Sequence, residues 1–95
     1  MTYEIEFDED AYAEWRKLDK GIRDQFKKKL DKLRNGDPRV PANALRGLHD
    51  CYKIKLRSAG FRLVYRVEDA AVVIFIVAVG KRERNAVYDA AANRL

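Results

Sequence analysis

The sequence predicts a single α+β domain over residues 1–95. Two N-terminal amphipathic helices pack on a twisted, mostly antiparallel sheet of four to five strands, and a weakly held C-terminal helical segment follows. Three observations predict this. Apolar residues recur at helical spacing through 11–18 and again through 22–33. Apolar and basic residues alternate with period two from Cys51 to Val67 on either side of Ser58-Ala59-Gly60, the pattern of a half-buried β-hairpin. Residues 71–79 are then apolar on both faces, as a covered central strand must be.

In chain order, Tyr3, Ile5 and Phe7 alternate with Glu4, Glu6 and Asp8, which makes a first strand with one acidic face. Asp8 suits the N-cap of the next helix, with Glu9 and Asp10 favourable in its first turn. Ala11, Tyr12, Trp15 and Leu18 form its buried stripe, with Trp15 as a core anchor. Lys20-Gly21 is read as a break. A second helix starts near Ile22 and buries Ile22, Phe26, Leu30 and Leu33. Gly36 is suited to a left-handed C-cap, and Pro38 stops continuation. Lys27, Lys28 and Lys29 are consecutive, so on a helix they splay apart and read as a solvated face, with secondary contacts to RNA as the alternative. Residues 37–50 hold both prolines and form a loop, with Leu45 and Leu48 tucked beneath it. Tyr52, Ile54 and Leu56 of the hairpin face inward with Phe61, Leu63, Tyr65 and Val67. Lys53, Lys55 and Arg57 face the other way with Arg62, Val64 and Arg66. After the apolar run, Gly80-Lys81-Arg82-Glu83-Arg84 is a burst of charge. An alanine-rich segment to Leu95 then carries Val87, Ala91 and Leu95 at helical spacing.

The net charge of +5 is uneven: residues 1–37 hold 9 Lys/Arg against 10 Asp/Glu, and residues 38–95 hold 11 against 5. A local cationic excess points to a polyanionic partner, most often nucleic acid. No apolar run approaches the roughly 20 residues needed to span a bilayer, and the N-terminus lacks a signal-peptide pattern. A cytoplasmic protein with no membrane association is expected. The single cysteine, Cys51, excludes an intrachain disulfide and reads as a small packing residue.

No cofactor and no metal are expected. One His and one Cys make no metal cluster, and the glycines match neither a P-loop nor a dinucleotide fingerprint. His49 beside Asp50 reads as structural or exposed. What remains is Lys53, Lys55, Arg62, Arg82 and Tyr88, with Arg46 just ahead of the hairpin. Lys53 and Lys55 leave one strand face about 7 Å apart. A register that sets Lys55 opposite Arg62 brings a third cation to them. Crowded cations lower a lysine pKa and fit it to act as a base, while guanidiniums hold phosphate charge. Those are the parts for cutting RNA through its own 2′-hydroxyl. Spacing alone favours binding phosphates without chemistry, since basic faces are much commoner than metal-free nucleases. Arg46, Lys53, Arg57, Arg66 and Lys81 are the candidate RNA-binding residues.

The stretches Phe7-Asp8-Glu9, Glu14-Trp15-Arg16-Lys17-Leu18, Lys27-Lys28-Lys29-Leu30, Leu45-Arg46-Gly47 and Asp50 to Ser58 carry a resemblance. So do Gly60, Arg62-Leu63-Val64-Tyr65, Val79 to Arg84 and Val87-Tyr88. The chain resembles, over essentially its whole length, the RelE family of toxins from toxin–antitoxin pairs. The resemblance implies a microbial-ribonuclease-like fold. It also implies a metal-independent endoribonuclease that cuts mRNA in the ribosomal A site, leaving a 2′,3′-cyclic phosphate and a 5′-hydroxyl, and so inhibits translation. The partners it implies are mRNA, ribosomal RNA of the A site and a RelB-like antitoxin. It gives Lys53 and Lys55 the base and phosphate-charge roles, Arg62 the phosphorane, Arg82 the leaving group, and Tyr88 the 2′-hydroxyl and base stacking. Arg46 is a further RNA contact by the same resemblance. The absence of a Glu/His pair sets the chain in a lysine-rich branch. A non-catalytic RNA- or ribosome-binding module of the same fold is the alternative, and a relic kept only to bind antitoxin is a third.

Overall fold

The structure, a computed structural model, describes residues 2–95. Its order is β1 (Glu4–Phe7), α1 (Glu9–Arg16), α2 (Lys20–Asn35), a 3-10 turn (Pro41–Asn43), β2 (Cys51–Leu56), β3 (Phe61–Glu68), β4 (Val73–Lys81) and α3 (Ala86–Arg94). The four strands form one sheet in the order β1-β4-β3-β2. β1 runs parallel to β4, and the other two pairings are antiparallel. The β1-to-β4 connection thus carries the two helices and the hairpin, and β4 is an inner strand as its two apolar faces require.

Two cores flank the sheet. On one face Trp15, Leu18, Phe26 and Leu30 of the helical layer meet Ile54, Leu63, Tyr65, Ile74 and Ile76. Trp15 lies 5.4 Å from the Phe7 ring and 6.1 Å from Phe26, so the expected anchor role holds. Burial of each such side chain stabilises by about 1.5–3 kcal/mol. On the other face Val64, Val77 and Ala78 are covered by Val87 and Ala91 of α3, with Leu45, Leu48 and Cys51 beside them. Burial pushes the Cys51 thiol above its ordinary range, in keeping with a packing role.

Local chemistry explains the helix ends. The Asp8 carboxylate accepts from the amides of Asp10 and Ala11 at 3.0 and 3.1 Å, capping α1 as its sequence predicts. Tyr12 departs from the expected stripe: it is half exposed, edge-on to Phe7 and under the Arg16 guanidinium. α2 starts at Lys20, two residues before the expected Ile22. Gly21 is tolerated because it is the second residue of α2, outside the helix interior where glycine's backbone entropy costs about 1 kcal/mol. The true break is the turn at Lys17–Leu18, whose amides bond to Glu14 and Trp15 carbonyls. Gly36 is not left-handed: its φ is −126° and its ψ −134°, and a Cβ there would stand 3.1 Å from the Lys32 carbonyl oxygen. α2 is ended instead by Pro38 and by Asn35 Nδ2, which donates to the Asp31 carbonyl at 2.9 Å. β4 begins at Val73 because Val72, with φ 54°, is part of the preceding turn. No helix among the described residues is long and apolar enough to cross a membrane.

Candidate active site: a basic pocket at the hairpin end

The hairpin register sets Lys55 opposite Arg62, as the alternation predicts, with Lys53 opposite Val64. The turn holds this register through Gly60, whose φ of 73° lies in the left-handed region and whose amide donates to the Leu56 carbonyl at 2.8 Å. The Gly60 carbonyl then accepts from the Arg82 amide at 2.7 Å. One glycine therefore closes the hairpin and fixes the chain just past β4.

A bulge decides which side chains reach this point. Between Val64 and Tyr65 the β3–β4 register shifts, so Val64 pairs with Ala78 and Tyr65 with Ile76, leaving Val77 unmatched. Val77 and Ala78 consequently both face α3, and Val79 turns to the helical layer with Ile74 and Ile76. Strict alternation from Phe75 would have sent Val79 and Lys81 to the α3 face. The bulge sends Gly80 there instead, opposite Arg62 and 3.6 Å (from a built Cβ) from Val87. Lys81 lines a groove with Glu14 and Lys17 on the α1 side, and Arg82 reaches the pocket at the hairpin end.

That pocket, about 200 Å³, is lined by Lys55, Leu56, Arg57, Phe61, Arg62 and Arg82. No carboxylate lines it, and none of its four cations is ion-paired among the described residues. Lys53 lines the adjoining groove. The consequence appears at Lys55. Its pKa is lowered, chiefly by the charge of Lys53, then by desolvation and by Arg62, Arg57 and Arg82. Among the described residues no three His, Cys, Asp or Glu side chains are grouped as a metal site needs.

Tyr88 arrives from the first turn of α3. Its ring lies under the Arg62 guanidinium, 5.1 Å from Arg62 Cζ to the ring centroid. Arg62 Nη1 donates to the Arg84 carbonyl at 3.1 Å, from a residue with φ 50°. Arg62 Nε and the Tyr88 hydroxyl are both buried without a partner. Two adjacent orphaned polar atoms are costly unless a ligand satisfies them. α3 itself is pinned at its far end. Arg94 donates to both Glu14 oxygens at 2.8 and 3.0 Å and to the Val77 carbonyl at 2.9 Å. Asp8 and Asp10 stand 3.8 and 3.9 Å from its Nε.

Of the sequence-predicted residues, Lys55, Arg57, Arg62 and Arg82 share the pocket, with Lys53 and Tyr88 adjoining. Arg66 lies four positions along β3 from Arg62, about 13 Å away. There it pairs with Glu68 at 2.8 Å and stacks on Phe75. Arg46 is exposed at the opposite end of β2, where Leu45 bonds to Cys51. His49 is exposed, its Nε2 3.2 Å from Asp50 Oδ2 and its carbonyl accepting from Cys51 Sγ at 3.4 Å. Lys29, expected on a solvated face, lines the groove beside Lys53 together with Lys32, and neither Lys32 nor the Glu14–Arg94 pair stands out in the sequence as functional. The three-residue spacing of Lys29 and Lys32 could have found the first pair; nothing local marks the second.

The family described as the ParE toxin of type II toxin–antitoxin system, parDE, matches residues 5–86. The chain is 56% identical over all 95 residues to the mRNA interferase toxin RelE of Escherichia coli K12, covering 99% of it. It superposes on a free E. coli toxin RelE bearing two arginine-to-alanine substitutions with a TM-score of 0.90. That match is 54% identical and covers 100% of this chain and 99% of the other. Against the intact E. coli RelBE toxin–antitoxin complex the TM-score is 0.81 at 57% identity, covering 86% of this chain and 99% of that one.

Proposed function

This chain belongs to the RelE-like mRNA interferase toxins of type II toxin–antitoxin systems, and from that premise we propose how it acts. It is a metal-independent endoribonuclease of the cytoplasm that cuts mRNA in the ribosomal A site and is neutralised by a RelB-like antitoxin. The observation that carries this reading is the pocket where Lys55, Arg62 and Arg82 converge with no carboxylate to neutralise them. Four uncompensated cations in one concavity suit the dianionic phosphorane of RNA cleavage.

Lys55 is the base, since its neighbours already weaken its hold on a proton. It takes the proton of the 2′-hydroxyl. The 2′-oxygen bonds to phosphorus, and the bond from phosphorus to the 5′-oxygen breaks. Lys53 holds Lys55 in its low-pKa state and adds phosphate charge. Arg62 bears on the non-bridging oxygens. Arg82 donates to the departing 5′-oxygen, which takes its proton from water because a guanidinium does not give one up. Tyr88 leaves its stack on Arg62 to orient the 2′-hydroxyl and stack on the base, which gives partners to both orphaned atoms. Products are a 2′,3′-cyclic phosphate and a 5′-hydroxyl.

Primer extension on mRNA in programmed ribosomes tests this. Wild type yields a cut within the A-site codon, and Arg82→Ala and Tyr88→Ala lose most of it while keeping the fold. Protection without a cut supports the non-catalytic module instead, and full cutting by both variants defeats the residue assignment.

A further inference from the structure

β2 is one of the two edge strands of the sheet; Ala44 bridges to it at Tyr52, and α2 lies beside the rest of its edge. Between them lies a groove of about 350 Å³, lined by Lys29, Lys32 and Leu33 of α2 and by Lys53, Lys55 and Arg57 of the hairpin, among others. No carboxylate lines it, and none of its five cations is ion-paired among the described residues. Lys29 and Lys32 are three apart on a helix and so share a face; Lys28 lines a second concavity of α2 with them but does not line the groove against β2. Two of the groove's cations, Lys55 and Arg57, also line the pocket at the hairpin end. The two concavities therefore form one basic path around the free edge of the sheet, from Arg82 and Arg62 on the α3 side to α2 on the other.

Resting on the proposed function, we infer that this groove is a binding track for the single-stranded message next to the cut, with Lys29 and Lys32 as its phosphate contacts. Continuity identifies the occupant. A strand whose scissile phosphate sits among Lys55, Arg62 and Arg82 leaves that pocket past Lys55 and Arg57, and the groove begins at those residues. Half-buried Leu33, backed by the buried Ile54 and Tyr65, gives a base an apolar surface to lie on without reading its edge. The track contributes affinity and register, and no chemistry.

The test crosses message length with the lysines. Ribosomes are programmed with a message that ends at the A-site codon or with one that runs several nucleotides further in the 3′ direction. Wild type and the Lys29→Ala/Lys32→Ala protein are compared on both. Both lysines are exposed and alanine is the better helix former, so the fold survives. Wild type is expected to show a KM about 3- to 10-fold lower on the longer message, the yield of two exposed ion pairs. In the double variant that advantage falls to about one, with kcat on the longer message unchanged. The salt dependence of KM on the longer message also flattens, by about 0.7 in log–log slope per lost single-strand contact. An undiminished length advantage in the variant overturns the inference. So does an equal KM penalty on both messages, which assigns the lysines to ribosomal RNA, or an effect confined to antitoxin affinity. Wild type that cuts neither message defeats the proposed function instead, and the affinities of the two programmed ribosomes, measured without cutting, then decide the groove by the same ratio.

Discussion

Replacing Arg94 by alanine releases the end of α3 while leaving the pocket residues untouched. In the wild type this guanidinium makes two bonds to the Glu14 carboxylate and one to the Val77 carbonyl, with its side chain 18% exposed. The bond to Glu14 also raises the Arg94 pKa, the mark of a proton held by its partner. Glu14, at 35% exposure, is solvated again once the arginine is gone, so the loss stays below that of a fully buried pair. Bonds to charged groups are worth about 1.5–3 kcal/mol, and the partial exposure puts this cluster near ~2 kcal/mol. The rest of the hold on α3 is small: buried Val87 and Ala91 and half-buried Tyr88. A loss of ~2 kcal/mol raises the open population of α3 about 30-fold. Amide hydrogen exchange reads this directly. Protection across 87–94 falls by about that factor, while amides of β3 and α2 keep theirs. Cutting falls in step, because Tyr88 is held at the mouth of the pocket for less of the time. Unchanged protection in α3, or an equal drop through the whole protein, refutes the reasoning.

Three further outcomes follow from the same geometry. Only the neutral Lys55 amine accepts a proton, so the cutting rate rises with pH through the lowered Lys55 pKa. Lys53→Met removes the largest cause of that lowering, and the rising limb of the pH–rate profile moves to higher pH. An unmoved limb removes Lys55 as the base. Gly60→Ala meets open space but demands a left-handed alanine, so denaturant melts show a loss of about 1–2 kcal/mol. Tyr88→Phe keeps the ring against Arg62 and the cover over β4, so stability holds while single-turnover cutting falls about 100-fold. Equal rates for Tyr88→Phe and wild type leave the hydroxyl without a role.

Residues governed by short-range periodicity were legible in the sequence. Lys55 meets Arg62 because two alternating strands joined by a glycine turn admit few registers. The Asp8 cap and the Trp15 anchor follow from equally local rules. The face of Lys81 was not legible. The unmatched Val77 re-phases β4, and nothing in an unbroken apolar run marks where a strand will bulge. The same bulge turns Arg82 to the pocket, so the feature that misplaces one predicted cation delivers another. Arg94 and Glu14 are 80 residues apart, and only the packing of α3 against the sheet brings them together. Lys29 and Lys32 were visible as helical neighbours, yet their meaning depends on β2 being an outer strand, which is a property of the whole topology.

The central claim is that this pocket drives attack by the message's own 2′-hydroxyl. A message carrying a single 2′-deoxy sugar at the cut position of the A-site codon tests it most directly. On programmed ribosomes with wild-type protein, the all-ribose message should be cut to a 2′,3′-cyclic phosphate and a 5′-hydroxyl, and the singly substituted message should stay whole while still binding. Cutting of the substituted message at a comparable rate, or a 5′-phosphate on the downstream product, would contradict the account.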